Sequence, residues 1–174
     1  ENESALRMRA EEALREGEEK FKLQFDNASD VIYSIDSNFR VLDISPSVER
    51  ILGYKPDELI GRPFQDLNLL AEDSLEPAFT DAIKVLSGET ISSAIYEFVA
   101  KDGTSIFGEV SGAPFLKKSK IVGIVSIARD ITDRKRAEEA LRETEEKYRR
   151  FVENAVVGVY QVTREGSFRF VNEK

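Results

Sequence analysis

The run ISSAIYEFVAKDGTSIFGEVSGAPFLKKSKIVGIVSIARDIT, residues 91–132, decides the fold. It divides into three stretches read as strands, roughly Ile91 to Ala100, Thr104 to Leu116 and Ile121 to Arg129, where the pattern changes from a period of 3.6 to one of 2. A period of two is that of a strand with one buried face. Asp102-Gly103 lies between the first two stretches and is a strong hairpin signal for their connection. Lys117 to Lys120 (KKSK) makes a second, looser turn. Strands joined in this way are antiparallel neighbours.

Two further strands stand nearer the N-terminus. Val31 to Asp36 and Arg40 to Ile44 flank Ser37-Asn38 and read as another hairpin. Between the two strand groups the period changes to that of a helix. Ser45-Pro46 reads as an N-cap followed by proline at the first helical position, leading into SVERIL with Gly53 just past its end. Lys55 to Leu59 opens a second short helix closed by Gly61, and a longer one runs from a cap at Ser74 to Gly88, with Phe79, Ala82, Ile83 and Leu86 on one face. The order β-β-α-α-α-β-β-β implies an α+β fold, a five-stranded antiparallel sheet with short helices on one face.

The sequence also repeats itself. RAEEALREGEEK at Arg9 to Lys20 returns 127 residues later as RAEEALRETEEK at Arg136 to Lys147, and the likeness continues through Asn27-Ala28 and Asn154-Ala155 to Tyr33 and Tyr160. Such a period is too long for a solenoid and suits tandem domains, each led by a helix. The expected organisation is a leading coiled-coil helix over 1–28, a folded domain over 29–131, a coiled-coil linker helix over 132–155, and the first hairpin of a second domain over 156–174. Leu14 and Phe21 in the first helix, and Ala137, Leu141 and Tyr148 in the second, fall at three-four spacing among Glu, Lys and Arg. A stripe this narrow is what a coiled-coil seam needs, which implies a homodimer through the flanking helices. The same stripe also fits a single helix docked on its own domain, and Arg, Gly, Thr and Gln at other seam positions weaken the coiled coil.

Composition removes much chemistry. Among 174 residues there are 33 acidic and 25 basic side chains, a net charge of −8, with no histidine, cysteine or tryptophan. That excludes a thiolate nucleophile, a Cys/His zinc site, an imidazole base, His-ligated haem and a disulfide. Net negative charge disfavours nucleic acid, which needs a concentrated Lys/Arg face. No phosphate-cradling, dinucleotide or nucleophile-elbow motif occurs, so the segment is expected to be non-catalytic and metal-free. No apolar run approaches the roughly 18 residues of a membrane span. A soluble, cytoplasmic piece of a longer protein is expected, without membrane contact of its own; the parent's anchorage is left open. The Lys117, Lys118, Lys120 cluster reads as a solvated turn.

Ser45 to Tyr54 (SPSVERILGY), Glu58 to Arg62 (ELIGR), Lys101-Asp102-Gly103, Gly123 and Arg129 to Lys135 (RDITDRK) occur in an order that resembles the PAS domain of two-component kinases and related signalling proteins. The second copy resembles the opening of another PAS domain, with Asn172 where that family often ends its second strand. The resemblance implies a cavity between sheet and helices and a signal-transfer junction at Asp130, Ile131, Thr132 and Arg134. Asp130 or Thr132 can also cap the departing helix, and Arg134 one turn on can pair with Asp130. Alternation places Tyr96 and Phe98, then Ile106, Gly108 and Val110, then Val125 and Ile127 toward the helices, where Phe64, Phe79 and Ile83 meet them. Hydroxyls at Tyr33, Tyr96, Ser126 or Ser111 are the candidate polar contacts. This lining reads first as a filled core, with a pocket for an unidentified small molecule as the alternative. The absence of Cys and His removes the cysteinyl-flavin, thioester and haem variants of the family; flavin held without an adduct is left.

The implied function is a signal-sensing and relay module of a multidomain protein, a sensor histidine kinase first and a diguanylate cyclase second. The signal would pass from the sheet through Asp130-Ile131-Thr132 to a dimeric coiled coil and on to a downstream PAS or output domain of the same chain. A ligand-free dimerisation and spacing module is the rival.

Overall fold

The computed structural model of the protein describes residues 2–154 and 160–171. Two compact units divide at Thr132 and Asp133. The first contains helix α1 (Asn2–Asp26), strands β1 (Val31–Asp36) and β2 (Val41–Ile44), short helices α2 (Ser47–Leu52) and α3 (Pro56–Leu59), a 3-10 turn at Phe64–Asp66, helix α4 (Glu72–Leu86), and strands β3 (Ile91–Val99), β4 (Ser105–Lys117) and β5 (Lys120–Asp130). Helix α5 (Thr132–Glu153) leads into the second unit, where strands β6 (Tyr160–Val162) and β7 (Phe168–Val171) form an antiparallel hairpin. Ala155 and Asn172 lie outside the described residues.

The five strands of the first unit form one antiparallel sheet in the order β2-β1-β5-β4-β3. Its core lies between one sheet face and α2–α4, where Val48 and Leu59 are fully buried. Two local devices set the short helices. Gly53 ends α2 at φ 76, a left-handed conformation costly for any residue with a Cβ, and its N–H donates to Glu49 O. The Asp102-Gly103 hairpin then docks against them, Lys101 N–H donating to Leu52 O and Lys101 Nζ reaching Glu58 Oε1 at 2.5 Å.

Two expected caps turn out to be tertiary fasteners. Ser45 does not cap α2, whose N-cap is Pro46. Ser47 Oγ spends its proton on Asp30 O, so Ser45 Oγ donates to Ser47 Oγ while accepting from Ile32 N–H, and α2 is pinned to β1. Ser74 likewise sits inside α4, which begins two residues earlier, and its hydroxyl accepts from Glu97 N–H on β3. Helix α4 keeps Phe79, Ala82 and Leu86 toward the interior as expected and adds Val85, which is buried, while Ile83 at the edge of that stripe is 61% exposed, which removes Ile83 from the interior.

The faces of β3 and β4 run as alternation sets them, but β5 does not. Lys117 pairs with Lys120 and Leu116 with Ile121, after which Phe115 pairs with Gly123, so Val122 is an extra residue in β5. A ladder counted back from the Lys118-Ser119 turn without this bulge sets Val125 opposite Gly112 and Ile127 opposite Val110. With the bulge, Ser126 and Ala128 take those places. Val125 and Ile127 consequently face away from the helices, 38% and 47% exposed, and Ile124 and Ser126 face the core.

The turn itself is held by residues ill suited to it. Lys118 (φ 49) and Ser119 (φ 62) both adopt left-handed backbone, where Asn-Gly is the favoured pair. Lys118→Asn with Ser119→Gly is expected to raise stability by about 1–2 kcal/mol. Urea unfolding measures this, and an unchanged midpoint would show that the turn stores no strain.

Candidate functional site

A cavity of about 70 Å³ lies between α4 and the sheet. Its walls are mainly aliphatic and aromatic, with Val85 from α4, Val110 from β4 and Ile124 from β5 among them. A second, wholly apolar cavity of about 40 Å³ lies under α2 and α3. Tyr33, Phe64 and Phe98 line both, and the Tyr33 and Phe64 rings stack at 6.4 Å between centroids. Phe39, from the β1–β2 turn, meets Phe79 of α4 edge-on at 5.4 Å.

Four polar side chains reach the larger cavity: Tyr33, Asp81, Tyr96 and Ser126. Tyr96 donates its hydroxyl to Asp81 Oδ2 at 2.7 Å, and Lys84 Nζ lies 2.8 Å from Asp81 Oδ1. The Lys84 contact and then the Tyr96 bond hold the Asp81 carboxyl below its ordinary range. Burial, followed by the Asp81 bond, raises the Tyr96 phenol well above its ordinary value. Burial raises Tyr33 also, and the hydroxyl of Ser126 beside it offsets part of that shift. Both phenols are therefore protonated throughout the physiological range, next to a carboxylate that is ionised.

Gly112 leaves this space open. A Cβ there would stand 3.1 Å from Ser126 Oγ. Gly108 does not create free volume, because the Phe98 ring lies where its side chain would be.

The Asp81 shift has a pH consequence. Its folded-state pKa is depressed, so the stabilisation is present above the unfolded value of about 4 and is lost as pH falls through the folded one. Asp81→Asn is expected to flatten that part of the acid limb. Urea midpoints of variant and wild type between pH 5 and pH 2 test this; parallel curves would reject it.

The far end of the sheet is fastened to α5. Ile131 N–H donates to Phe107 O at 2.8 Å, and Phe107 N–H donates to Thr132 Oγ1 at 2.9 Å. Asp130 Oδ1 accepts from Thr132 N–H at 2.9 Å, so the carboxylate caps the helix while the buried Thr132 hydroxyl ties its first residue to β4.

A profile of the PAS domain matches residues 29–133, more than half of the chain. The chain belongs to the PAS domain family. Over 140 residues it is 32% identical to the methyl sulfide methyltransferase-associated sensor of Methanosarcina acetivorans, a match covering 78% of this chain and 13% of that protein. Over 137 residues it is 29% identical to the cell-division control histidine kinase PdhS of Brucella anthropi, covering 75% of this chain and 12% of the kinase. The chain thus spans about an eighth of the length of these relatives. In fold it is similar to the crystal structure of a PAS domain from Colwellia psychrerythraea, with a TM-score of 0.60 and 23% identity over 66% of this chain and 97% of that one.

Within this PAS domain the larger cavity brings together Phe64, Phe79, Tyr96, Phe98 and Val110. Ile106 and Gly108 line the smaller cavity instead. Ile83, Val125 and Ile127 line neither, for the helix phase and bulge given above, and Ser111 is exposed. Sequence reasoning missed Asp81, Val85 and Ile124. The signal for Asp81 was present: it shares a helical face with Ala78, Ala82 and Val85, a lone carboxylate within an apolar stripe. On the flanking helices, Leu14, Phe21, Leu141 and Tyr148 are each more than 60% exposed, and Ala137 is exposed too. Arg134 Nε lies 3.9 Å from Glu138 on its own helix. Among the described residues no helix is long and apolar enough to cross a membrane.

Proposed function

We propose that this PAS domain senses a signal and relays it within a multidomain signal-transduction protein of the sensor histidine kinase type. Occupancy of the larger cavity by a small molecule, or contact with a partner, changes the packing of α4 against β3–β5. The change passes through Asp130, Ile131 and Thr132 into α5, which shifts register or twist against its mate in a homodimer seamed by Leu14, Phe21, Ala137, Leu141 and Tyr148. A downstream PAS or output domain of the same chain receives it. Such a relay needs two states separated in ligand affinity by a coupling energy of about 1–3 kcal/mol. The module catalyses nothing itself, holds no His-ligated haem or cysteinyl flavin, and works in the cytoplasm.

The observation that supports this reading is the pair of bonds from Phe107 to Ile131 and Thr132, which join β4 to the first residue of α5. The kinship with PdhS supports the kinase context. Asp130→Ala in the full-length protein is expected to change output several-fold while the domain stays folded by circular dichroism. Unchanged output would reject the relay.

A further inference from the structure

The polar groups of the larger cavity also restrict what it accepts, an inference that rests on reading that cavity as the sensing chamber. Asp81 is the only lining residue with a formal charge, and its oxygens are already engaged by Lys84 and Tyr96. A cationic ligand must compete with Lys84 for that carboxylate. An anion meets the same carboxylate and finds no cation among the lining residues. Burying either without a partner is costly.

The remaining hydrogen-bonding capacity is that of hydroxyls. The Tyr96 proton is committed to Asp81, so the Tyr96 oxygen is left to accept. Ser126, 6% exposed, and Tyr33 beside it each carry a proton that can be donated. Ser126 faces Tyr33 across β5 and β1, and the Tyr33 phenol is near enough to Tyr96 to act on it, so the hydroxyls follow one another along a wall otherwise built of residues such as Val85, Val110 and Ile124. The space is about 70 Å³, several times the roughly 10–15 Å³ that a single water requires.

We propose that the chamber binds a small uncharged alcohol or phenol, its hydroxyl accepting from Ser126 or Tyr33 and donating to Tyr96, and its apolar body against Val85, Val110 and Ile124. Four probes sharing one ring test this on the 174-residue chain by thermal shift and amide NMR titration: cyclohexanol, cyclohexylammonium, cyclohexanecarboxylate and methylcyclohexane. Cyclohexanol is expected to move the Val110, Ile124 and Ser126 resonances, and both charged probes to bind at least about tenfold more weakly. Ser126→Ala is expected to weaken cyclohexanol about fivefold, the effect of one neutral hydrogen bond, and to leave methylcyclohexane unchanged.

A charged probe that binds as tightly as cyclohexanol, an Ser126→Ala variant that binds it equally well, or no binding by any probe overturns the proposal. The sensing role is judged separately with Ala82→Leu, which fills the chamber from α4. If cyclohexanol binds as expected and Ala82→Leu leaves the output of the full-length protein unchanged, the ligand class stands and the sensing role falls. If Ala82→Leu changes output and a charged probe binds best, the sensing role stands and the ligand class falls.

Discussion

Gly123→Ala is expected to lower the stability of the domain by about 3 kcal/mol, the upper end of the usual overpacking cost, and to reduce its melting temperature by roughly 10 °C or more. Gly123 follows the Val122 bulge and stands opposite Asp36 where β5 crosses β1. A Cβ there would collide with the Ile35 carbonyl oxygen and lie 3.0 Å from Asp36 Cα. These are backbone atoms of a central ladder, so relief requires the two strands to separate. Gly108→Ala is the informative contrast. Its Cβ would stand 2.5 Å from Phe98 Cε2, but a ring can turn into the neighbouring cavity space. Thermal unfolding of both variants side by side tests the argument; equal losses would show that backbone and side-chain obstruction cost the same here.

The second large effect is expected at the junction. Thr132→Val keeps the shape of the side chain and removes the acceptor of the Phe107 N–H, which costs about 1–3 kcal/mol where the group is shielded from water. Hydrogen exchange at the Phe107 amide is expected to accelerate about tenfold or more, while protection in β1 and β5 is retained. In the full-length protein the same variant is expected to lose most of its response to stimulus. An unchanged Phe107 exchange rate would show that Thr132 does not hold the strand.

Features governed by neighbours in sequence were legible from the sequence. The Asp102-Gly103 hairpin, the Gly53 helix end, the β1–β2 pair and the five-stranded antiparallel sheet each follow from a few adjacent residues and appear as expected. Errors arose where a distant bond decided. Ser74 resembles a cap locally, yet Glu97 N–H across the interior claims its hydroxyl and α4 starts two residues earlier; Ile83, at the edge of the inward stripe, is left exposed because Val85 and Ala78 take up the contact with the core. Ser45 likewise serves Ile32 rather than its own helix. Asp81 is held at the cavity by Tyr96, 15 residues on, a partner that its own helix does not reveal. The β5 face was inverted because Val122 carries no local mark of a bulge.

That single unpaired residue also says how such a chamber can be retuned over time. Loss of the Val122 codon would straighten the bulge without moving the ladder beyond it: Leu116 would still meet Ile121, Phe115 would still meet Gly123, and Ile124 and Ser126 would keep their places in the wall. A change of length at this position is therefore absorbed at the rim of the sheet, and the chamber is retuned by substitution of its wall residues, one side chain at a time.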